Sequence, residues 1–152
     1  MRLKTMAMAL VLLSTTACGL VSATQRMFGS TLPLEVVVSP RANLGNPVAV
    51  SLLVVYDRKV LERLIALPAA SWFKERDQWR RDFPEAFDVW GWEWVPGQVV
   101  RGEELEVRAG ARAVLIFADY YTPGSHRASV DPKRGWRLRL EERAFAVEPL
   151  AE

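Results

Sequence analysis

The 152-residue sequence contains one cysteine, Cys18, and one histidine, His126. Without a second cysteine the chain cannot form an internal disulfide, so a folded domain has to be stabilised by its hydrophobic core. The clustered cysteine and histidine ligands that are typical of zinc sites are also missing from the sequence. His126 lies in the polar loop 123–127, which has no carboxylate and no second ligand. We therefore expect a solvated histidine rather than a catalytic or metal-binding one.

Motifs for catalysis and phosphate binding are equally scarce. Gly91, Gly97 and Gly102 do not match a glycine-rich phosphate loop. The 18 acidic residues allow many carboxylate pairs of the kind that hydrolyse glycosides, but no pair stands out. The sequence therefore predicts a protein that is not an enzyme and that has no metal site, no cofactor and no small-molecule substrate.

One short apolar run lies near the start of the chain. Arg2 and Lys4 precede this run at residues 6–13, and small residues then lead to Cys18. This order is typical of a secretory signal peptide. The apolar run is too short to cross a bilayer as a helix. We predict a signal peptide at residues 1–17 and export of the remaining chain.

The end of this signal resembles the lipobox of bacterial lipoproteins. Small residues stand directly before Cys18, although Thr15 occupies the place where a leucine is common, with Leu13 two residues earlier. The resemblance implies cleavage before Cys18, a diacylglycerol on its thiol and an N-acyl chain such as palmitate on its new amine. Gly19, rather than an aspartate, implies sorting to the outer membrane. An ordinary signal peptide with an incidental cysteine is the alternative.

Neither sign of charge dominates the mature chain. The sequence has 20 basic and 18 acidic residues, and Arg2 and Lys4 leave with the signal peptide. The 135 residues after position 17 therefore carry 18 charges of each sign. This balance provides no strong field for nucleic acid, so we expect no nucleic-acid partner. The length suits one domain with a core of its own.

The mature chain begins with a polar, mixed stretch that we assign to a lipidated tether at residues 18–33. The β-branched run 34–38 predicts a first strand. Residues 39–47 form a loop that is rich in proline, glycine and asparagine and longer than a hairpin needs. Residues 48–56 are apolar on both faces, which indicates a central strand.

The apolar period changes from two to about 3.6 after this strand, which predicts two helices. Asp57 is placed to cap the first helix, and Pro68 ends it. The second helix is predicted from about Ala70 to Asp82, with Ser71 as a candidate cap. The helices make up an insertion at 57–83 whose apolar stripes have to pack on a sheet.

The rest of the chain predicts short strands separated by turns. These strands are expected at 88–95, 104–108, 111–121, 136–140 and around 145–147, with a second long loop at 122–135. The strand at 111–121 is apolar on both faces, which indicates a second central strand. Seven or so strands in this pattern favour a mostly β fold, a two-sheet β-sandwich with antiparallel or mixed sheets. The predicted domain covers residues 34–148, and the helical pair follows its second strand.

Trp90, Trp92 and Trp94 share one face of a predicted strand. An exposed row of indole rings could stack on sugars. We favour a core-filling role, because Glu93 on the opposite face marks the solvent side and buried aromatic rings are strongly stabilising. Glycan binding by exposed tryptophans remains the alternative.

The order of these features resembles one family, the outer-membrane lipoproteins of the type VI secretion system (the TssJ/SciN type). The similarity extends from Leu34 to Val147. It rests on Asn46-Pro47-Val48-Ala49-Val50 leading to Val55-Tyr56, on Trp72-Phe73, on Pro96-Gly97 and on Trp136-Arg137. The sequence departs from the family pattern at Asp57, where Gln-Leu is commoner, and in its tryptophan-rich third strand.

This resemblance implies a transthyretin-like sandwich with extra helices, anchored by lipid in the outer membrane and facing the periplasm. It also implies a tethering role in the secretion system's membrane complex. The implied partner is the periplasmic domain of a large, TssM-like inner-membrane protein. In the family the loop between the first two strands makes the contact, which here gives Arg41, Asn43, Leu44 and Asn46 as contact residues. The 122–135 loop is a second candidate surface.

Two other functions stay open at this point. One is a lipid-anchored periplasmic module that binds glycan or peptidoglycan through its tryptophans, which burial of those rings would oppose. The other is a lipid-anchored enzyme, which would need a cleft with convergent titratable groups.

Overall fold

The computed structural model describes residues 29–151. In this part of the chain there are eight strands, two α-helices and a short turn of 3-10 type at Ala42–Gly45. The elements are β1 (Ser30–Val38), β2 (Val48–Val55), α1 (Arg58–Leu64), α2 (Ala69–Asp82), β3 (Phe87–Trp94), β4 (Glu103–Val107), β5 (Ala113–Asp119), β6 (Arg127–Val130), β7 (Trp136–Leu140) and β8 (Phe145–Pro149).

The strands form two four-stranded sheets. The first has the order β4-β1-β7-β8 and is mixed, because β1 runs parallel to β7 and antiparallel to β4. The second has the order β3-β2-β5-β6, and all its pairs are antiparallel. The predicted mostly β, two-sheet sandwich with a helical pair after the second strand is confirmed.

Alternation along β1 shows how the sequence builds the core between the sheets. Leu32, Leu34, Val36 and Val38 are buried, and the residues between them are exposed. The same cluster takes in alternate residues of β2, β5 and β7 from both sheets. Each such side chain contributes about 1.5–3 kcal/mol when fully buried. This apolar core holds the two sheets of the sandwich together.

The two helices cover the outer face of the second sheet. Leu53 of β2 and Phe117 of β5 point to this side and pack in a second apolar cluster with Leu64, Trp72 and Trp79 of the helices. Strands β2 and β5 are therefore buried on both faces, as the sequence predicted for its two central strands. A strand covered on both faces loses its polar alternation.

The helix caps confirm one prediction and correct another. The Val60 N–H donates to Asp57 Oδ1 at 2.9 Å, so Asp57 caps α1 as predicted. The start of α2 differs, because the N-cap is Pro68 and no side chain accepts a capping hydrogen bond there. The prediction of Ser71 as the cap was wrong. Ser71 already lies inside the first turn.

Two differences from the predicted elements exceed two residues. β1 begins at Ser30, so residues 30–33, which were assigned to the tether, pair with β4. Polar residues and Pro33 at the exposed positions conceal this part of the strand in the sequence. The predicted loop 122–135 contains β6, which has only four residues and is too short to show a period. The predicted signal peptide, Cys18 and the tether up to residue 28 lie outside the described residues.

A polar cluster fastens the start of β3 to the β4–β5 turn. The Arg108 guanidinium donates to both carboxylate oxygens of Asp88, at 2.9 and 3.1 Å, and lies over the Tyr56 ring at 4.2 Å. The Tyr56 hydroxyl donates to the same carboxylate at 2.8 Å. Burial, followed by this hydrogen bond, raises the pKa of Tyr56. The cluster ties the two sheets together at one end of the sandwich.

Candidate interaction site

Four loops meet at the other end of the sandwich. They follow β1, β3, β5 and β7 and cover residues 39–47, 95–102, 120–126 and 141–144. The strand register places them together, since Val38 is beside Leu140 and Val48 is beside Trp94. The Gly97 N–H donates to the Ser39 carbonyl at 3.2 Å, which ties the second loop to the first. We call this surface the loop end.

The β1–β2 loop contains a left-handed turn. Asn43 has φ 49° and ψ 43°, Leu44 has φ 57° and ψ 34°, and Gly45 follows with φ 83°. The left-handed conformation costs an ordinary residue about 1–2 kcal/mol, whereas asparagine and glycine adopt it more readily. Leucine does not share this preference, so contacts of the neighbouring residues must impose the conformation of Leu44.

Asn43 provides much of that constraint. Its side chain is fully buried, and its Nδ2 donates to the Pro47 carbonyl at 2.8 Å and to the Asp119 carbonyl at 3.4 Å. Its Oδ1 accepts a hydrogen bond from the Tyr121 N–H at 2.8 Å. One amide side chain therefore joins the β1–β2 loop to the end of β5. The loop is ordered by a buried polar network, which makes it rigid.

The β7–β8 turn supports the same loop from its other side. The N–H groups of Asn43 and Leu44 donate to the carbonyls of Glu141 and Glu142 at 3.2 and 3.0 Å. The Tyr120 hydroxyl donates to the Glu141 carbonyl at 3.1 Å, and burial raises the pKa of Tyr120. Arg41 lies 3.4 Å from the Glu142 carboxylate in an exposed ion pair, which adds little stability.

Apolar side chains are presented to solvent around this rigid turn. Leu44 is 47% exposed, and Tyr121, which follows the strand anchored by Asn43, is 70% exposed. Val95 and Val99 in the β3–β4 loop are 51% and 93% exposed. A group of exposed apolar residues on ordered backbone is typical of a protein–protein contact surface.

The four residues predicted as partner contacts differ in how far their side chains are exposed. Arg41 and Leu44 are exposed, and Asn46 is half-buried with its Nδ2 donating to the Asn43 and Leu44 carbonyls at 3.1 and 3.3 Å. The side chain of Asn43 is fully buried. It holds the loop in shape and is not presented to solvent.

Sequence reasoning missed the exposed residues Val95, Val99 and Tyr121. Tyr121 was assigned to the end of a central strand, yet it lies beyond β5 and next to Asn43. The turn residues Pro96-Gly97 and Pro123-Gly124 beside these positions were the available signal.

His126 is more ordered than the sequence suggested. Its ring stacks on Tyr120 with centroids 4.9 Å apart, and its Nε2 lies 2.7 Å from the Thr122 carbonyl. The prediction of a solvated side chain was wrong, because this half-buried ring packs within its own loop. Residues 29–151 contain no cluster of three or more candidate metal ligands.

The tryptophan row is mostly engaged in packing. Trp94 is only 4% exposed, and Trp92 stacks on it with ring centroids 5.2 Å apart. Trp90 and Trp92 are half-buried and pack against the core between the sheets. This arrangement supports the core-filling role that the sequence favoured. In the described part of the chain no helix is long and apolar enough to span a membrane.

Solved structures that match this architecture include components of type VI secretion systems. The chain superposes on the T6SS lipoprotein TssJ1 from Pseudomonas aeruginosa with a TM-score of 0.62 and 15% sequence identity, over 82% of this chain and 98% of that one. Lip from Serratia marcescens, a membrane-bound component of the type VI secretion system, gives a TM-score of 0.60 at 12% identity, with 82% and 98% coverage.

A chain in the structure of the TssM C-terminal domain from EAEC also matches, with a TM-score of 0.60, 12% identity and coverage of 79% and 98%. No protein-family model and no curated protein sequence matches the chain. At this level of identity the similarity establishes the fold. The chain has the β-sandwich fold of TssJ-type lipoproteins.

Proposed function

We propose that this protein is a lipoprotein of a type VI secretion system that tethers the membrane complex to the outer membrane from the periplasmic side. The observation that carries the proposal is the fold, because 98% of the T6SS lipoprotein TssJ1 is covered by this chain. The lipobox-like sequence at Cys18 supplies an independent sequence argument for a lipid anchor.

The anchor follows from lipid chemistry at Cys18. Each buried methylene group contributes about 0.8 kcal/mol, so two or three acyl chains give effectively permanent attachment. Ten residues, 19–28, separate Cys18 from Gly29, the first described residue. Such a segment can span at most roughly 33–36 Å when fully extended. The sandwich would therefore stay close to the inner leaflet of the outer membrane.

We assign partner binding to the loop end. In this assignment Leu44 and Arg41 contact the partner directly, with Val95, Val99 and Tyr121 around them. Asn43 is a positioning residue, since its buried amide holds the left-handed turn. The unfavourable φ of Leu44 supports the assignment, because strained backbone that the surrounding structure enforces is concentrated at functional sites. The proposed partner is the periplasmic domain of a TssM-like inner-membrane protein.

Calorimetric titration of that periplasmic domain into residues 18–152 carrying Cys18→Ser tests the assignment. Leu44→Asp should weaken binding at least about tenfold, because a carboxylate would be desolvated in the interface. Ile65→Asp is the matched control, since Ile65 is 40% exposed but follows α1 on the helical side of the domain. Equal affinity for the parent and Leu44→Asp proteins would reject the loop end as the binding site.

A glycan-binding module has less support. A sugar platform needs flat, accessible indole faces, whereas Trp94 is buried and Trp92 stacks on it. We therefore place the function in protein binding.

A further inference from the structure

An open groove runs along one side of the sandwich, between the two edge strands β6 and β8. It has a volume of about 530 Å³ and is lined by both strands, by the loop before β6 and by the turn before β8. Its apolar side chains are Ala128 and Val130 on β6 and Phe145 and Val147 on β8, all half-buried against the core. The groove thus exposes part of the core at the place where neither sheet continues.

The edge of β8 offers unpaired backbone groups along this groove. The Glu141 N–H donates to the Ala144 carbonyl, and the Leu150 N–H donates to the Gly135 carbonyl. Hydrogen-bonded pairs alternate along an antiparallel ladder, so residues 146 and 148 bond to β7 and residues 145 and 147 do not. The N–H and C=O groups of Phe145 and Val147 therefore point away from the sheet, as a template for one more strand.

The charge of the groove has one sign. Its lining includes Arg127 and Arg143 and contains no aspartate or glutamate. The side chain of Arg127 lies opposite Phe117 on the helix-covered face and donates to the Leu67 carbonyl at 3.1 Å, which leaves Arg143 as the main cationic group of the groove. Arg143 is exposed, lies two residues before the start of β8 and forms no ion pair within residues 29–151. A ligand with carboxylate groups would complement this lining.

We propose that this groove binds an extended, acidic peptide segment of a partner protein, which adds to β8 as a further strand of the first sheet. Main-chain hydrogen bonds to Phe145 and Val147 would hold the peptide, and its inward side chains would cover the exposed part of the core. A carboxylate near its end would pair with Arg143. The groove shares residues 123–126, 143 and 144 with the loop end, but Leu44 is not part of its lining. The proposal therefore does not depend on Leu44 as a contact residue.

The chain's own tether is a poorer occupant. Residues 19–28 contain Arg26 and no acidic residue, so they would add a like charge to the groove. A second copy of the chain is the remaining occupant, and the experiment distinguishes it.

The test uses residues 18–152 with Cys18→Ser, labelled with 15N, and two synthetic peptides. One alternates glutamate and valine over eight residues, and the other replaces every glutamate with lysine. The acidic peptide should shift the amide signals of Phe145 and Val147 in a saturable manner, with a Kd of about 1 mM or tighter. The lysine peptide should have no effect. Equal shifts with both peptides, or no shift with either, would overturn the proposal.

Three variants locate the contact. Arg143→Glu should weaken binding of the acidic peptide about tenfold. Val147→Pro should abolish it, because proline removes an N–H that only the added strand uses. Arg134→Glu, an exposed residue of the β6–β7 loop outside the groove, should leave it unchanged. Slow hydrogen exchange of the Ala146 and Glu148 amides shows that β8 keeps its pairing with β7 in each variant.

Two other results would contradict the proposal. Nuclear Overhauser contacts from residues 20–28 to Phe145 would assign the groove to the tether. A doubled mass in light scattering that Val147→Pro returns to that of a monomer would assign it to a second copy of the chain.

Discussion

Leu44 combines two properties that a stability argument alone does not explain. It is an apolar side chain that is 47% exposed, and its backbone is left-handed with φ 57°. Both properties cost free energy in the isolated protein, and asparagine at the same position would avoid most of that cost. The neighbouring Asn43 shows how readily the turn accepts such a residue. We therefore infer that Leu44 serves the contact with a partner protein and not the stability of the fold.

This interpretation predicts opposite effects of one substitution on stability and binding. Leu44→Asn should raise the free energy of unfolding by about 0.5–1 kcal/mol, because asparagine tolerates the left-handed conformation. The same change should weaken partner binding by removing the apolar contact. Urea denaturation and calorimetry measure the two effects. A loss of stability on this change would show that Leu44 serves the fold, contrary to our assignment.

At the scale of elements, the helical pair acts as the cover of the second sheet. Trp72 of α2 is fully buried, stacks on Phe117 of β5 at 5.3 Å and meets Phe87 of β3 edge-on at 6.0 Å. Its indole N–H has no hydrogen-bond partner in the described part of the chain. The ring therefore stabilises the protein by apolar contact, at some cost from its unpaired polar group.

Two substitutions of Trp72 separate these contributions. Trp72→Ala should lower the free energy of unfolding by about 3–5 kcal/mol, since it leaves a large cavity between α2 and the sheet. Trp72→Phe should cost clearly less, because it keeps most of the ring and removes the unpaired N–H. Urea denaturation measures both values, provided that the dependence of the unfolding free energy on urea concentration is the same in all three proteins. An equal loss in the two variants would mean that the indole N–H has a partner that stabilises it.

The sequence predicted elements where several residues shared one period. β1, β2, β5 and the two helices have apolar runs long enough to identify their type, and Asp57 marked a helix start through its capping chemistry. β6 escaped prediction because four residues carry no usable period. The start of β1 was concealed by Pro33 and by polar residues on its exposed side.

The candidate site was predictable only in outline. The 39–47 loop was chosen on the family resemblance, which its unusual length supported. The sequence could not show that Asn43 positions the loop while its neighbours are exposed. The burial of Asn43 arises from contacts with Asp119 and Tyr121, which are more than seventy residues away in the sequence. Such long-range contacts leave no local pattern. The groove between β6 and β8 was unpredictable for the same reason.

At the scale of the whole molecule, the proposed lipid anchor lies at one terminus and the proposed binding surface lies on rigid loops. Gly29, where the described chain begins, leads directly into β1, and β1 ends at the loop end. A load on the bound partner would therefore pass along β1, which is hydrogen-bonded to β4 on one side and to β7 on the other. A strand in the interior of a sheet is a suitable element for this purpose.

Removing the anchor should change the location of the protein and leave its fold intact. Cys18→Ser should give a protein that is released to the soluble fraction or mislocalised and cannot support assembly of the secretion complex, because no acyl chain holds it to the membrane. Membrane fractionation and the intact mass of the mature protein measure this. Retention of the variant in the outer-membrane fraction would contradict lipid anchoring at Cys18.

The most direct test of the central claim is photo-crosslinking in intact cells from a benzoyl-phenylalanine at position 44, with position 65 as the control. We predict that position 44 crosslinks to the periplasmic domain of a large inner-membrane protein, identified by mass spectrometry, and that position 65 does not. Absence of that product from position 44, or the same product from both positions, would contradict the account.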